Sequence, residues 1–322
     1  MAKSTHRNIW SFVLILTLAA LIGASVGCQS QSEAPATVET QTQPPAAEPT
    51  QPEAPTQTTA PTQAEEPTQA PVEEPTQVTI SRASEFLTID PAFITSGSDY
   101  SIAYLIYNGL IKYKPGTREI VGDLAEKWEV SPDGLLYSFW LRKGVKWQKG
   151  YGDFTAQDVK YSFERIMNPD TESRFFSEFA TVDSIEVEDD YTVHIHMKEP
   201  SPEFIGAVLT YRPGLIVNQK AIEELGDQYQ NDPVGTGPYY WESSLPGVEI
   251  VLKRNPDYFG PEPVIDTVVS KLIQEEAAKE IAMESGDLDM AYFEEPEIQR
   301  RVIDNPDLVT IQTPGPRTLR DY

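Results

Sequence analysis

The 322-residue chain contains a single cysteine, Cys28. One thiol builds neither an internal disulfide framework nor a cysteine-based zinc site. Histidine is nearly as rare: His194 and His196 are the only two beyond the first 28 residues. No Ser-His-Asp pattern, nucleophile elbow or Cys/His pair is available for covalent catalysis, so neither an enzyme nor a cofactor is expected. Positive charge is short as well, with 25 Lys and Arg against 50 Asp and Glu and a formal net charge of −25. Phosphate binding needs Lys and Arg to displace counterions, which makes nucleic acid an unsuitable partner. These shortages are unevenly spread. Residues 29–77 hold no Lys, Arg or aromatic residue, whereas 78–322 carry 23 basic residues, 42 acidic residues and every aromatic except Trp10 and Phe12. Only the second stretch can bury a sizeable core.

Residues 1–28 read as a targeting segment. Lys3 and Arg7 form a basic start, and an apolar run follows from Ile9 to Ile22. Its length suits a secretory signal peptide better than a membrane span of about 20 apolar residues with a stop-transfer flank. The run ends Ser25-Val26-Gly27-Cys28. This resembles the lipobox of bacterial lipoproteins, with Ser25 where Leu is usual. That resemblance implies that the Cys28 thiol takes a lipid and becomes the first residue of the mature protein.

Residues 29–77 hold ten Pro, ten Thr, nine Gln and eight Glu, with Pro-Thr-Gln recurring at Pro49, Pro55, Pro61, Pro67 and Pro75. Such a segment buries too little to offset the entropy of ordering its backbone. Its proline content favours extended stretches, and at roughly 3.1 Å per residue it can reach up to about 150 Å. A tether holding a folded module off a membrane is the expected role.

From residue 78 onward the pattern is mixed. Val78–Ile80 reads as a strand and Asp90-Pro91 as a turn, with a helix over Ser101–Leu110 that runs out at Gly109. Trp128 and Val130 alternate toward Pro132-Asp133-Gly134, and Leu135–Leu141 follows as the second arm of a hairpin. Thr155-Ala156-Gln157-Asp158 is a capping-box start for a helix with Val159, Phe163 and Ile166 inward. Ile185 and Val187 face Val193, Ile195 and Met197 across Asp189-Asp190. Asn218 caps a short helix ended by Gly226, and Leu245-Pro246-Gly247 turns a third hairpin. Ile273, Ala277 and Ile281 are expected to line one helical face, with a strand at Asp289–Phe293 after Gly286. Hairpins and helices without strict alternation indicate an α/β or mixed α+β class. Gly235-Thr236-Gly237-Pro238 lacks the Lys-Ser/Thr ending of a phosphate loop and reads as a tight backbone passage.

Several strings then stand together in order: Trp128 to Gly134, Phe139-Trp-Leu-Arg-Lys-Gly-Val145, Phe154-Thr-Ala-Gln-Asp-Val159, Phe163-Glu-Arg165, Val234-Gly-Thr-Gly-Pro-Tyr239, Asn255-Pro-Asp-Tyr258 and Glu284-Ser-Gly-Asp-Leu-Asp289. Together they resemble the family 5 extracellular solute-binding proteins of ABC transporters, the peptide, oligopeptide and nickel-binding group. The resemblance implies a periplasmic-binding-protein-like class II fold of two lobes that close on ligand. It implies an extracytoplasmic lipoprotein that captures peptides or another small solute for an ABC permease and ATPase complex. The strings mainly serve turns, sheet bracing and capping. Ligand contacts are expected from Thr95, Ser96 and Gly97 in the loop after the first strand, and from an aromatic at Phe175 or Phe176. The second lobe is expected to be largely missing from this chain, which is then either a fragment or a split relative. Two alternatives belong to other classes. His194 and His196, two apart on one strand face, can ligate nickel or zinc, although solvent-facing alternation explains them without a metal and no metal site is expected. A receptor or scaffold lipoprotein of the same fold is the other.

Overall fold

In the computed structural model, which describes residues 76–311, secondary structure forms where the alternation and capping signals stand. Strand β1 (Gln77–Arg82) leads through a long loop to helix α1 (Gly97–Ile106), followed by the short strands β2 (Ile111–Tyr113) and β3 (Ile120–Gly122). Next come β4 (Ala125–Val130) and β5 (Leu136–Leu141), helix α2 (Ala156–Met167), and β6 (Val182–Asp189) with β7 (Thr192–Met197). Helix α3 (Gln219–Leu225) precedes β8 (Tyr239–Leu245) and β9 (Glu249–Arg254). Strand β10 (Thr267–Leu272) and helices α4 (Glu276–Ser285) and α5 (Pro296–Asp304) follow. Cys28 and the tether through residue 75 lie outside the described residues. Gln77, the last residue assigned to the tether, opens β1 instead.

The described residues form two four-stranded sheets and a β2-β3 ribbon. One sheet, β4-β5-β7-β6, is antiparallel throughout. Its inward residues are those of the period-two pattern: Tyr137, Phe139 and Leu141 on β5, and Val193, Ile195 and Met197 on β7, are all buried. The expected pairs Ile185–Ile195 and Val187–Val193 face each other across β6 and β7. Helix α2 starts at the anticipated capping box, with the Asp158 carboxylate accepting from the Thr155 backbone N–H at 2.9 Å. Its Val159, Phe163 and Ile166 are buried as expected. Phe163 meets Phe179 at 5.3 Å, Phe179 meets Phe204 edge-on at 5.6 Å, and Phe204 meets Tyr137 of β5 at 5.8 Å. Each such ring contributes about 1.5–3 kcal/mol by burial, so this aromatic chain fixes the helix to the sheet.

The other sheet, β1-β10-β9-β8, joins distant parts of the chain, with β1 parallel to β10. Here the sequence expectations need correction at three places. Helix α1 begins at Gly97, four residues early, because Ser96 serves as its N-cap and accepts from the Asp99 N–H at 3.4 Å. It ends at Ile106, and Gly109 bridges to Leu215 instead. In α4, Ile281 is 66% exposed while Glu276 and Lys279 are buried. The cause is α5: the Glu276 carboxylate accepts the N–H groups of Glu294 and Glu295 at 2.6 and 2.7 Å, satisfying donors at that helix's start. Asp289–Phe293 is not a strand, and only Met290 bridges to Ile80 of β1 before Pro296 opens α5.

Candidate ligand-binding face

The loop between β1 and α1 is fastened along its length. Asp99, in the first turn of α1, accepts the N–H groups of Leu87 and Thr88, both at 3.2 Å. Gln230 accepts from the Thr88 hydroxyl and the Ile89 N–H, each at 3.0 Å. Asp90 receives a two-pronged pair from Arg165 of α2 at 2.9 and 2.5 Å, and the same guanidinium lies 5.6 Å from the Phe93 ring. The carbonyl of Ala92 accepts from the Ser173 hydroxyl at 2.9 Å and the Arg174 N–H at 3.1 Å. A loop held this way presents backbone groups in a fixed geometry without paying for order at each binding event. Burial pushes the Asp99 carboxyl above the usual carboxylate range, against its N–H bonds from Thr88 and Leu87 and the Arg82 charge.

Thr95 and Gly97 emerge from this loop exposed, with Ser96 half-buried between them. Ser96 is committed to capping α1, while Gly97 is the first helical residue and its carbonyl takes the Ser101 hydroxyl at 3.0 Å. The hydrogen bonds at Ala92 bring the segment around residue 174 against the same loop, so the two groups expected from sequence come to one region. Phe175 and Phe176 part company there. Phe175 is 7% exposed and belongs to the core, whereas Phe176 is 46% exposed and offers its ring to solvent.

Between these two groups stand residues that sequence reading did not single out. Arg212 is nine-tenths buried, 5.2 Å from the Tyr100 ring and 4.3 Å from the Tyr211 ring. Tyr100 lies one turn into α1 from Gly97 and contacts Tyr104, which is 40% exposed, at 5.9 Å. Glu178, two residues after Phe176, senses the Arg212 charge; burial raises its carboxyl pKa and the guanidinium pulls against that rise. On the loop itself Leu87 is 70% exposed. The available sequence signal was Tyr211-Arg212-Pro213-Gly214, a cation beside an aromatic at a rigid turn.

Two other sequence candidates occupy different places. A Cβ at Gly235 or Gly237 would stand 1.9 or 2.6 Å from backbone atoms of Ile106, and the Gly237 N–H donates to the Ile106 carbonyl at 2.7 Å. The buried Gln148 amide holds this passage, donating to the carbonyls of Gly237 and Tyr239 at 3.1 and 2.8 Å and accepting from the Gly235 N–H at 3.1 Å. The passage is therefore packed against α1 and presents no cradle for phosphate. On β7, His194 Nε2 lies 2.8 Å from Glu188 and its Nδ1 2.8 Å from the Ser138 hydroxyl, while His196 Nε2 lies 2.9 Å from Glu186. Among the described residues no three His, Cys, Asp or Glu side chains gather as a metal-binding group. No helix among them is long and apolar enough to cross a membrane.

The family model for bacterial extracellular solute-binding proteins, family 5 Middle, matches residues 119–320. A putative ABC transporter peptide-binding protein of Brucella ovis is 31% identical over 212 residues, covering 64% of this chain and 39% of the relative. Di/tripeptide-binding protein 2 of Pseudomonas aeruginosa is 28% identical over 249 residues, covering 69% of this chain and 46% of its own. Among solved structures, MoaA of A. tumefaciens R10 in complex with mannopinic acid superposes with a TM-score of 0.69 at 35% identity, covering 72% of this chain and 48% of that one. The periplasmic binding protein DppA of Helicobacter pylori in complex with the peptide STSA gives 0.66 at 29% identity, covering 71% and 49%. The chain thus spans about half the length of the relatives it matches, or less. These binding proteins share its mixed α/β architecture.

Proposed function

From a chain that belongs to the bacterial extracellular solute-binding proteins of family 5, we propose a receptor that captures peptides for an ABC importer. The whole protein is a lipoprotein anchored through Cys28, with the Pro/Thr/Gln/Glu segment as its tether and a permease and ATPase complex as its destination. Binding is non-covalent: the described face is one wall of a cleft, and a second lobe closes over the ligand. The observation that carries this reading is the clamped loop ending at Thr95–Gly97, bonded through Ala92 to the segment that carries the exposed ring of Phe176. Such a loop offers backbone hydrogen bonds to an extended main chain, and the aromatic ring adds apolar contact without fixing side-chain identity. The names of the relatives agree in class, being peptide-binding and di/tripeptide-binding proteins.

The experiment uses the protein extracted from its own membrane. Denaturing it should release short peptides detectable by mass spectrometry, and calorimetric titration of the stripped protein with a di- to pentapeptide mixture should saturate. A protein that releases no peptide and gives no saturable heat with the mixture overturns the reading.

A further inference from the structure

Asp99 fastens the loop between β1 and α1 with only half of its carboxylate. The side chain is 1% exposed. Its Oδ2 accepts both the Leu87 and the Thr88 N–H at 3.2 Å, whereas Oδ1 has no hydrogen-bond partner among the described residues. Two donors that share one oxygen at the long end of the N–H···O range make weak bonds. A buried carboxylate oxygen without a donor is destabilising. The matching half-used donor belongs to Arg82, the last residue of β1, which is 7% exposed. One of its terminal nitrogens donates to the Ser84 carbonyl at 3.0 Å, and its Nε has no partner among the described residues.

These two charges are near enough to feel each other, yet they form no ion pair. Glu85 also acts on Arg82 without pairing with it. Arg165 and Asp90 show the contrast, with a two-pronged pair at 2.9 and 2.5 Å. What separates Arg82 from Asp99 is the chain between them: Ser84 engages the guanidinium, and Leu87 and Thr88 engage the carboxylate. Burial works against both charges, raising the Asp99 carboxyl pKa and lowering that of Arg82. Direct pairing answers that cost with a charged hydrogen bond, stronger than the neutral-donor bonds it replaces. The backbone groups given up in exchange are close to water, since Leu87 is 70% exposed. Each arrangement thus has its own compensation, which is the condition for two states of similar energy.

We propose that Arg82 and Asp99 form a partner-exchange latch: in one state they hold residues 84–88 between them, and in the other they pair directly and let that segment go. The loop ending at Thr95–Gly97 is tight in the first state and slack in the second, so the latch sets how readily a solute is held and released. That consequence rests on the solute-capture reading, whereas the exchange is read without ligand, so the two can fail separately. The test uses the full chain stripped of solute and NMR relaxation dispersion at the Leu87 and Thr88 amides and at Arg82 Nε–H. One exchange rate common to the three groups is expected. Asp99→Asn keeps an oxygen for the two N–H groups and removes the charge that draws Arg82. It should quench the dispersion and slow hydrogen exchange at Leu87 and Thr88 about tenfold. A carboxylate that only fastens the loop predicts the opposite, because a neutral oxygen accepts more weakly. Should Asp99→Asn fail to fold around an unpaired guanidinium, the double variant Arg82→Met with Asp99→Asn removes both charges and should show the same slow exchange. The double variant also identifies the Arg82 Nε–H resonance by its loss. Flat profiles in the wild type, unequal rates at the three groups, or faster amide exchange in the variants overturn the latch and leave solute capture standing.

Discussion

Gly237 sits where the Ile106 backbone leaves no room for a Cβ, at 2.6 Å. Gly237→Ala forces two backbone segments apart and should destabilise the fold by about 3 kcal/mol, read as a lower urea midpoint at unchanged slope. Asp158 makes a different prediction. Burial raises its carboxyl pKa, although the Thr155 N–H and the Trp147 indole N–H both donate to the charged form. A raised folded-state value means that the folded chain keeps a proton that the unfolded chain has already released. Its stabilising contribution is complete below the ordinary Asp value of about 3.9 and is lost as pH rises through the folded value. Wild type should therefore lose stability relative to Asp158→Asn over that rise, in urea titrations at a series of pH values. At this scale the sequence revealed residues with local jobs, such as the Thr155–Asp158 box and the Asn218 cap, whose Oδ1 accepts from Ala221 at 2.8 Å. Arg212 escaped because its contacts with the Tyr100 and Tyr211 rings bring together distant parts of the chain, which only a three-dimensional neighbourhood defines.

Helix α4 shows how one element's needs reorient another. Its apolar positions suggested an inward face through Ile281, yet Glu276 turns inward to hold the N–H groups of Glu294 and Glu295 at the entry to α5. Glu276→Ala leaves those donors unsatisfied and should cost about 1–3 kcal/mol. Hydrogen exchange should show the loss as faster exchange of the Glu294 and Glu295 amides, ahead of amides in the β5–β7 ladder. Hairpins were the most legible elements, because alternation and turn residues lie within a dozen positions of each other. Helix α5 was overlooked although Ile298 and Val302 are spaced four apart and buried. The segment 289–293 misled for the opposite reason: its residues suit a strand, but it makes a single bridge to β1, Met290 to Ile80, beside hydrogen bonds between Asp289 and Thr79.

For the whole molecule, the composition break near residue 77 was visible without any structure, and so was the family. The pairing of β1 with β10 was not, since no local pattern encodes a partner so far along the chain. The proposed anchor gives the prediction at this scale. Cells supplied with labelled palmitate should incorporate it into this protein, and Cys28→Ala should abolish the label and release the protein from the membrane fraction. A variant as labelled and as firmly bound as wild type counts against the anchor.

Strand β1 has a consequence for how the molecule comes into being. The Thr76 N–H donates to Asp266, 190 residues ahead, and β1 lies along β10 in register from Gln77–Thr267 to Arg82–Leu272. Loop closure over such a distance is slow, and the partner strand does not exist until most of this stretch has been synthesised. The first strand of the described residues to leave the ribosome must therefore wait unpaired while the β4–β7 hairpins, whose contacts are close in sequence, form early. Until β10 emerges, β1 has no neighbour there to take up its unpaired N–H and C=O groups.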